Sequence, residues 1–559
     1  MAESLKIIPL GGLGTIGKNM MAIQYEEDIV VIDAGVLFPG EDLPGVDLII
    51  PDTTFLKDNR DKVRAILITH GHEDHIGAIP YILKDFNVPV YAPKLAKGLM
   101  ELRIRPRKIL KERTIESIEP ENKIKIGKFI VHWFRVCHSI PDAMGIVIET
   151  PLGNVVHTGD FKIDHTPADS NPTDLGVLSK LAEQGVLLLL SDSTYAEVPG
   201  YTPSEKIVGE TLEKVIGESY GRVIVATFAS LIARIQQILD AAVKYKRKVS
   251  FVGKSMKDNV KLGLKEGYLE APNGLIVSTE EIKHVAPREV VIVTTGSQGE
   301  PTSALTRIAK NEHKELTIIE GDTVVISATP IPGNETVVSK NINNLLKLGA
   351  KVLHDKIALV HVHGHASQEE LKTVLNVTKP QYFVPIHGEY RHLKAHADIA
   401  CSLGMEKKNT FVLEDGDVLT VDGNHAMISG RVKAGPVYVN GPQAWAIEEK
   451  LIEDRKSLAR EGILFIVATI DSRASVILRE PEIFSEGVIP TDMALLLDNE
   501  MGTVIKESLY RQIGSNLDNA SLENIIRDEV SALLIHRTGR KPIITPVIID
   551  LGGGNVNVW

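Results

Sequence analysis

Directly after the apolar run Arg64-Ala65-Ile66-Leu67-Ile68-Thr69, the chain reads His70-Gly71-His72-Glu73-Asp74-His75. A buried strand that ends in so dense a set of imidazole and carboxylate groups restricts the fold, because its carboxyl end has to face a cleft able to hold metal ions. His70 and His72 are two apart, so in an extended segment they point to one side and can share one ion. Asp74 and His75 follow where the chain turns into a helix predicted from Ile76 to Lys84, and they can serve a second ion. A polar loop with coincidental histidines is the competing reading, since short motifs carry false positives. The rest of the chain has to decide between the two.

At 559 residues the chain is too long for one core, and it predicts about three to four domain-sized units. A hydrophobic content of 43% with 24% charged residues fits a soluble globular protein. Two cysteines, Cys137 and Cys401, cannot form a disulfide framework and fit a reducing cytosol. The start, Met-Ala-Glu-Ser-Leu-Lys, lacks a basic region followed by an apolar one. No apolar run reaches the roughly 18 residues of a membrane span. A cytoplasmic protein without membrane contact is the expectation. The net charge of −11 argues against whole-surface attraction to nucleic acid, although a local cleft can still be basic. Residues 101 to 113 are such a basic concentration, readable as a contact surface or as a solvated face.

Near the start, Gly12-Leu13-Gly14-Thr15-Ile16-Gly17 matches the dinucleotide fingerprint G-x-G-x-x-G, with Asp33 placed like a ribose-binding acid. That reading fails on length. Only fifteen residues separate Gly17 from Asp33, and they read as two short strands, Met20 to Tyr25 and Ile29 to Ile32, with no room for a crossover helix. The glycines instead predict a tight connection near a site, and Asp33 a carboxylate that supports metal ligands from behind. From 61 to 165 strands and helices alternate, which predicts an α/β layered fold. His138 and Asp160 each follow an apolar strand pattern, Phe129 to Cys137 and Asn154 to Gly159.

In the order HxHxDH, His, Asp, these residues resemble the metallo-β-lactamase superfamily, whose fold is an αββα sandwich with its ligands at strand ends. Pro385-Ile386-His387-Gly388-Glu389-Tyr390 matches the final His motif. The resemblance implies one Zn²⁺ held by His70, His72 and His138, a second held by Asp74, His75 and His387, and Asp160 shared between them. Imidazole and carboxylate donors suit zinc, and a shared carboxylate suits ions about 3.5 to 4 Å apart.

More than two hundred residues separate Asp160 from His387. Thr202-Pro203-Ser204-Glu205 opens this stretch as a helix start with Thr202 as the cap. Strand patterns at Arg222 to Thr227, Lys248 to Val252, Glu289 to Thr294 and Thr323 to Ser327 then alternate with helical ones, predicting a doubly wound domain. Their loops, Thr227 to Ser230, Thr295 to Pro301 and Ala328 to Glu335, are candidates for cradling phosphate through backbone N–H groups. This insert resembles the β-CASP domain, found in metallo-β-lactamase proteins that act on nucleic acids. The family's acidic motif corresponds to Asp192 and its histidine motif to His365, within His361-Val362-His363-Gly364-His365-Ala366-Ser367. Within β-CASP proteins the resemblance is to the bacterial ribonuclease J family, and it spans nearly the whole chain. Members usually have Asn and His soon after the Ser230 position, where this chain has Leu231-Ile232-Ala233, and a small hydroxyl residue where His363 stands. A third departure is Ser485-Glu486-Gly487-Val488, where the family has a Ser-Arg-Gly-Phe-like segment.

The expected fold is therefore α/β: a metallo-β-lactamase sandwich over 1–200 and 356–445, an inserted β-CASP domain over 201–355, a linker over 446–461, a small α+β domain over 462–552, and a flexible tail over 553–559. Strand patterns at Thr410 to Leu413 and Val418 to Val421 belong to the sandwich. Ile463 to Ile470, Ala474 to Leu478 and Pro542 to Leu551, with helices near 492–513 and 521–537, belong to the last domain, which the family uses in assembly. The resemblance implies a zinc-dependent ribonuclease, 5′-to-3′ exonuclease with endonuclease activity, serving RNA maturation and decay as a homo-oligomer (dimer or tetramer), with other RNA-processing proteins as possible partners. Asp74 is expected to orient the attacking water, and His365, supported by Asp192, to stabilise charge or protonate the leaving 3′-oxygen. Ser230, His361, His363, Gly364, His365, Ala366 and Ser367 are the candidates for contacting RNA and its 5′-monophosphate. Two alternatives stay open: a small-molecule metallo-hydrolase, and a low-activity scaffold partner of a nuclease complex.

Overall fold

The computed structural model describes residues 3–40, 42–104, 115–300, 302–331, 333–440, 445–488, 494–512 and 518–552. Residues 105–113 of the basic stretch and the predicted tail lie outside them. The chain folds as two compact units, Met1–Phe38 with Leu48–Val437, and Pro39–Asp47 with Tyr438–Trp559.

The first unit contains two facing sheets. One runs in the order Ala426–Arg431, Asp417–Val421, Leu5–Gly11, Met20–Tyr25, Asp28–Ile32, Val63–Leu67, Val90–Pro93, Ile115–Ile118. The other runs Tyr382–Ile386, Val186–Asp192, Gly153–His157, Met144–Thr150, Phe129–Arg135, Lys123–Ile126. Alternation along a strand explains why both faces are apolar. In Asp28–Ile32, Val30 and Ile32 join Ile7, Val131, Ile146, Leu188 and Val384 between the sheets, while Ile29 and Val31 face the helix layer with Ile79, Ile82 and Leu83. Each such side chain taken out of water contributes roughly 1.5–3 kcal/mol.

Leu5–Gly11 and Met20–Tyr25 pair antiparallel with no crossover helix between them, which removes the dinucleotide reading. The glycine-rich connection lies against the end of the other sheet, where the Gly388 N–H donates to the Gly12 carbonyl at 3.3 Å. Two local expectations change. The helix predicted from Ile76 to Lys84 is two, Glu73–Ile76 and Ile79–Asp85, because Pro80 has no N–H to continue the first and suits the opening turn of the second. Thr410 to Leu413 forms no strand and makes a single bridge, Phe383 to Thr410.

The insert carries five parallel strands in the order Lys248–Val252, Val290–Thr294, Val223–Ala226, Thr323–Ile326, Lys351–Leu353. The four predicted strands are present and the last is an addition. Its opening helix, Glu205–Glu218, is capped by Ser204, whose hydroxyl accepts from Lys206 N, and not by Thr202. In the second unit, Leu497, Met501, Ile505 and Leu509 on one helix and Leu522, Ile526, Val530 and Leu534 on another recur every fourth residue. They cover one face of the strands Ile463–Asp471 and Ile543–Asp550.

One buried histidine sets a pH response. His396, on the helix Tyr390–Ser402, is fully buried against the Phe383 ring, with Nδ1 3.0 Å from Ser193 Oγ and no partner at Nε2. Burial pushes its pKa down to about 3. An unfolded histidine binds a proton below about 6.5, so between pH 6.5 and 3 the unfolded state holds more protons and stability falls as pH falls. In chelator, the urea midpoint is expected to drop through this window, and His396→Met to flatten the drop by up to roughly 3 kcal/mol at pH 4. A variant with the parent's slope would assign the acid response elsewhere.

Candidate metal centre

The predicted donors converge at the carboxyl ends of the strands. Val63–Leu67 leads into His70, Phe129–Arg135 into His138, Gly153–His157 into Asp160, Val186–Asp192 ends in Asp192, and Tyr382–Ile386 leads into His387. Donor atoms of His70, His72 and His138 form one group and those of Asp74, His75, Asp160 and His387 another, all within 4.8 Å of one another inside each group. Asp160 Oδ2 lies between them, 3.2 Å from His75 Nε2, 3.7 Å from His70 Nε2 and 3.8 Å from His138 Nε2.

Whether this set suits a cation can be judged from its own chemistry. His72 Nδ1 is 3.1 Å from both His70 Nε2 and His138 Nε2. Burial, aided by neighbouring imidazoles, holds the pKa of His70 and His138 well below the usual histidine value and brings His72 to about 4. These rings are neutral at pH 7, so their lone pairs are available to a metal. The second group is electrostatically opposite. Burial alone would raise the carboxyls of Asp74 and Asp160, yet His75 and His387 hold both well below their usual range. Burial likewise opposes charge on His387, but Asp160, Asp74 and Asp192 raise it to about 10. A buried carboxylate group that draws positive charge onto its histidines suits a cation. His387 Nε2 is buried without a hydrogen-bond partner, 3.4 Å from Asp74 Oδ2. The residues present fit a metal site.

Contacts behind the donors orient them. Asp33 Oδ2 is 2.7 Å from His75 Nδ1, and the Asp33 carboxylate also accepts from Thr69 N and Thr69 Oγ1, both at 2.8 Å. This leaves His75 Nε2 aimed at the other donors. His138 Nδ1 donates to the Gly364 carbonyl at 2.7 Å. Asn19, which the sequence motifs do not mark, places Nδ2 3.1 Å from the Asp74 carbonyl and 3.1 Å from His75 Nε2. Asp33 and His387 both have positive φ, 60° and 53°, a conformation costly for non-glycine residues that recurs at functional sites. Gly35 permits the close approach, since a Cβ there would sit 1.5 Å from the Asp74 carbonyl oxygen.

Beside the donors, Asp192 Oδ2 is 2.7 Å from His365 Nδ1. Asp192 Oδ1 accepts from Thr194 N at 3.0 Å and from Thr194 Oγ1 at 2.7 Å. Burial opposes the charged form of His365, but Asp192 outweighs it and the pKa is raised. The ring lies 5.0 Å from His138 and 5.4 Å from His387.

The expected RNA-contacting residues divide. Gly364 adjoins the site, and a Cβ there would meet the His138 ring at 2.8 Å. His363 stacks on Tyr195 with ring centroids 3.7 Å apart. His361 Nδ1 accepts from Arg234 Nη1 at 2.9 Å, and Arg234, itself fully buried, is ion-paired with Glu205 and also donates to Ser327. The side chains of Ala366 and Ser367, expected at the substrate, are internal. Ala366 is 2% exposed within the core, and Ser367, 0% exposed, caps the helix Gln368–Thr378 and lies 3.0 Å from Thr202 Oγ1. Ser230 is partly exposed at the start of the helix Ile232–Lys244, in the turn where its carbonyl accepts from Ile232 N. In the predicted phosphate loops, Gln298 is spent on joining two of them: it donates to the Thr329 carbonyl and accepts from Ile331 N.

Comparison with known proteins agrees with this architecture. The metallo-beta-lactamase superfamily matches residues 13–190, the ribonuclease J beta-CASP domain 220–345, the Zn-dependent metallo-hydrolase RNA specificity domain 350–410, and the ribonuclease J C-terminal domain 450–551. Ribonuclease J 1 of Streptococcus pyogenes is 42% identical over 551 residues, 97% of each chain. Ribonuclease J2 of Bacillus subtilis is 40% identical over 555 residues, 98% of this chain and 99% of that one. A solved Enterococcus faecalis protein of unknown function shares the fold at 17% identity, with a TM-score of 0.54 over 75% of this chain and 100% of that one. Among the described residues, no helix is long and apolar enough to cross a membrane. The chain belongs to the ribonuclease J family and is a metal-dependent ribonuclease, built as a metallo-β-lactamase domain with an inserted β-CASP domain and a C-terminal domain.

Proposed function

We propose that the chain is a two-zinc ribonuclease that digests single-stranded RNA from the 5′ end, also cuts internally, and leaves 5′-phosphates. The carrying observation is the Asp192–His365 pair set beside two convergent donor groups, with the Asp160 carboxylate between them. His70, His72 and His138 would hold one ion, Asp74, His75 and His387 the other, and Asp160 both. When bound, such ions supply Lewis-acid stabilisation of phosphate charge and make a coordinated water acidic near neutral pH.

The protein's own groups then divide the proton work. Asp74 accepts a hydrogen bond from the attacking water and aims it at phosphorus. As the bond from phosphorus to the 3′-oxygen breaks, His365 gives the leaving oxygen its Nε2 proton, because Nδ1 is committed to Asp192. Asp192 steadies the imidazolium before transfer and fixes the tautomer after it.

Ser230, Gly364 and His365 form the proposed pocket for the terminal phosphate, with His361 behind it in the Arg234 network. Zinc as the native metal, a homodimer or homotetramer, cytoplasmic location and the division into domains at 200, 355, 445 and 461 are part of the same reading. Rates on matched RNAs bearing 5′-monophosphate, 5′-triphosphate or 5′-hydroxyl, each with and without chelator and zinc add-back, test it. The monophosphate should be digested fastest and chelator should stop all three. Indifference to the 5′ end would sink the pocket, and activity undiminished by exhaustive chelation would sink the metal assignment.

A further inference from the structure

We propose that Tyr195 and His363 are positioning residues that set the height and tilt of the His365 ring over the leaving group. The inference rests on the reading of His365 as the proton donor and extends it to two side chains that need not touch RNA.

The His365 carbonyl is held from two sides. Thr202 Oγ1 donates to it at 2.9 Å and His363 Nδ1 at 2.8 Å. The second bond would be weak if the His363 ring could rotate. Tyr195 prevents rotation by lying flat on it, 3.7 Å between centroids and 9° between planes. Tyr195 is also nearly parallel to His365, 13° between planes at 5.9 Å, so one phenol ring runs parallel to two imidazoles. The loop that supplies this ring also supplies Asp192, the partner of His365 Nδ1.

The alignment reaches one step further. Gly364, between the two histidines, accepts from His138 Nδ1, and His138 and His365 have ring centroids 5.0 Å apart. Backbone movement at 363 would displace the proton donor with its neighbour at the donor cluster. A shift of about 1 Å in a reacting group costs on the order of 10²-fold in rate. His363 thereby acquires a role as a stacked strut, which a small hydroxyl residue could not perform.

The test separates positioning of a proton donor from general support of the fold. A single-stranded RNA whose cleaved linkage has been mapped is compared with the same RNA carrying a 3′-bridging sulfur there, because a thiolate leaves without being protonated. On the oxygen substrate, Tyr195→Leu and His363→Ser should each lower kcat by about 10- to 100-fold with KM within about twofold. On the sulfur substrate the deficit should shrink to less than about threefold. Tyr195→Phe, which keeps the ring, should retain most activity on both. His365→Ala is the reference. If sulfur rescues His365→Ala but neither Tyr195→Leu nor His363→Ser, the positioning role is wrong and the stack is only structural. If sulfur fails to rescue His365→Ala, the proton-donor assignment itself falls. Should Tyr195→Leu not fold, His363→Ser carries the same comparison.

Discussion

Asp74→Ala is expected to abolish RNA hydrolysis, with a loss of at least about 10³-fold in kcat, equivalent to roughly 4 kcal/mol of barrier. In the proposed mechanism Asp74 combines two duties. Its Oδ2 lies 3.4 Å from both His75 Nε2 and His387 Nε2, and its side chain, 29% exposed, is more open than the buried carboxylates around it. On the proposed mechanism, removing it would withdraw a ligand from one cation and the hydrogen-bond acceptor that aims the water. The loss should not come from unfolding, since its neighbours His75 and Asp160 keep their contacts to Asp33 and His387. Metal analysis by mass spectrometry alongside the rate measurement should show lower occupancy and a near-parental melting temperature. A variant as fast as the parent would overturn the centre as the source of activity.

Asp192→Asn is the second large effect. The substitution keeps size and an acceptor oxygen but removes the charge that raises the His365 pKa against the cost of burial. Loss of positioned proton transfer costs typically about 10²- to 10⁴-fold, and kcat should fall within that range with KM nearly unchanged. A proton donor fails as pH rises through its pKa, and without Asp192 that pKa is lower, so the alkaline limb of kcat should move to lower pH. An alkaline limb left in place would assign it to another group.

The convergence of these side chains was legible because metal binding would couple residue type to place. His70, His138, Asp160 and His387 occur just after strand ends, which apolar runs mark well, and His72, Asp74 and His75 follow His70 within five residues. The supporting contacts were harder to read, because they join distant segments whose side chains have no distinctive type. Asn19 meets Asp74 across 55 residues and Thr202 meets the His365 carbonyl across 163. Thr202 read locally as a helix cap, and only the return of 365–367 beside it gave its hydroxyl another partner. Ala366 and Ser367 read as pocket residues from their place in a motif. Which side of an irregular segment faces inward is a question that motif spacing does not answer.

The path of the chain also carries a consequence in time. The strand ends that build the centre are not contiguous, and His387 is delivered nearly two hundred residues after Asp192. At a synthesis rate of about 5–20 residues per second, roughly 10 to 40 seconds pass between them. Gly364, whose carbonyl steadies His138, belongs to the same late segment. A growing chain on the ribosome thus makes most of its first sheet long before its donor set closes, so this RNA-cutting protein is assembled beside a messenger RNA with its site still incomplete.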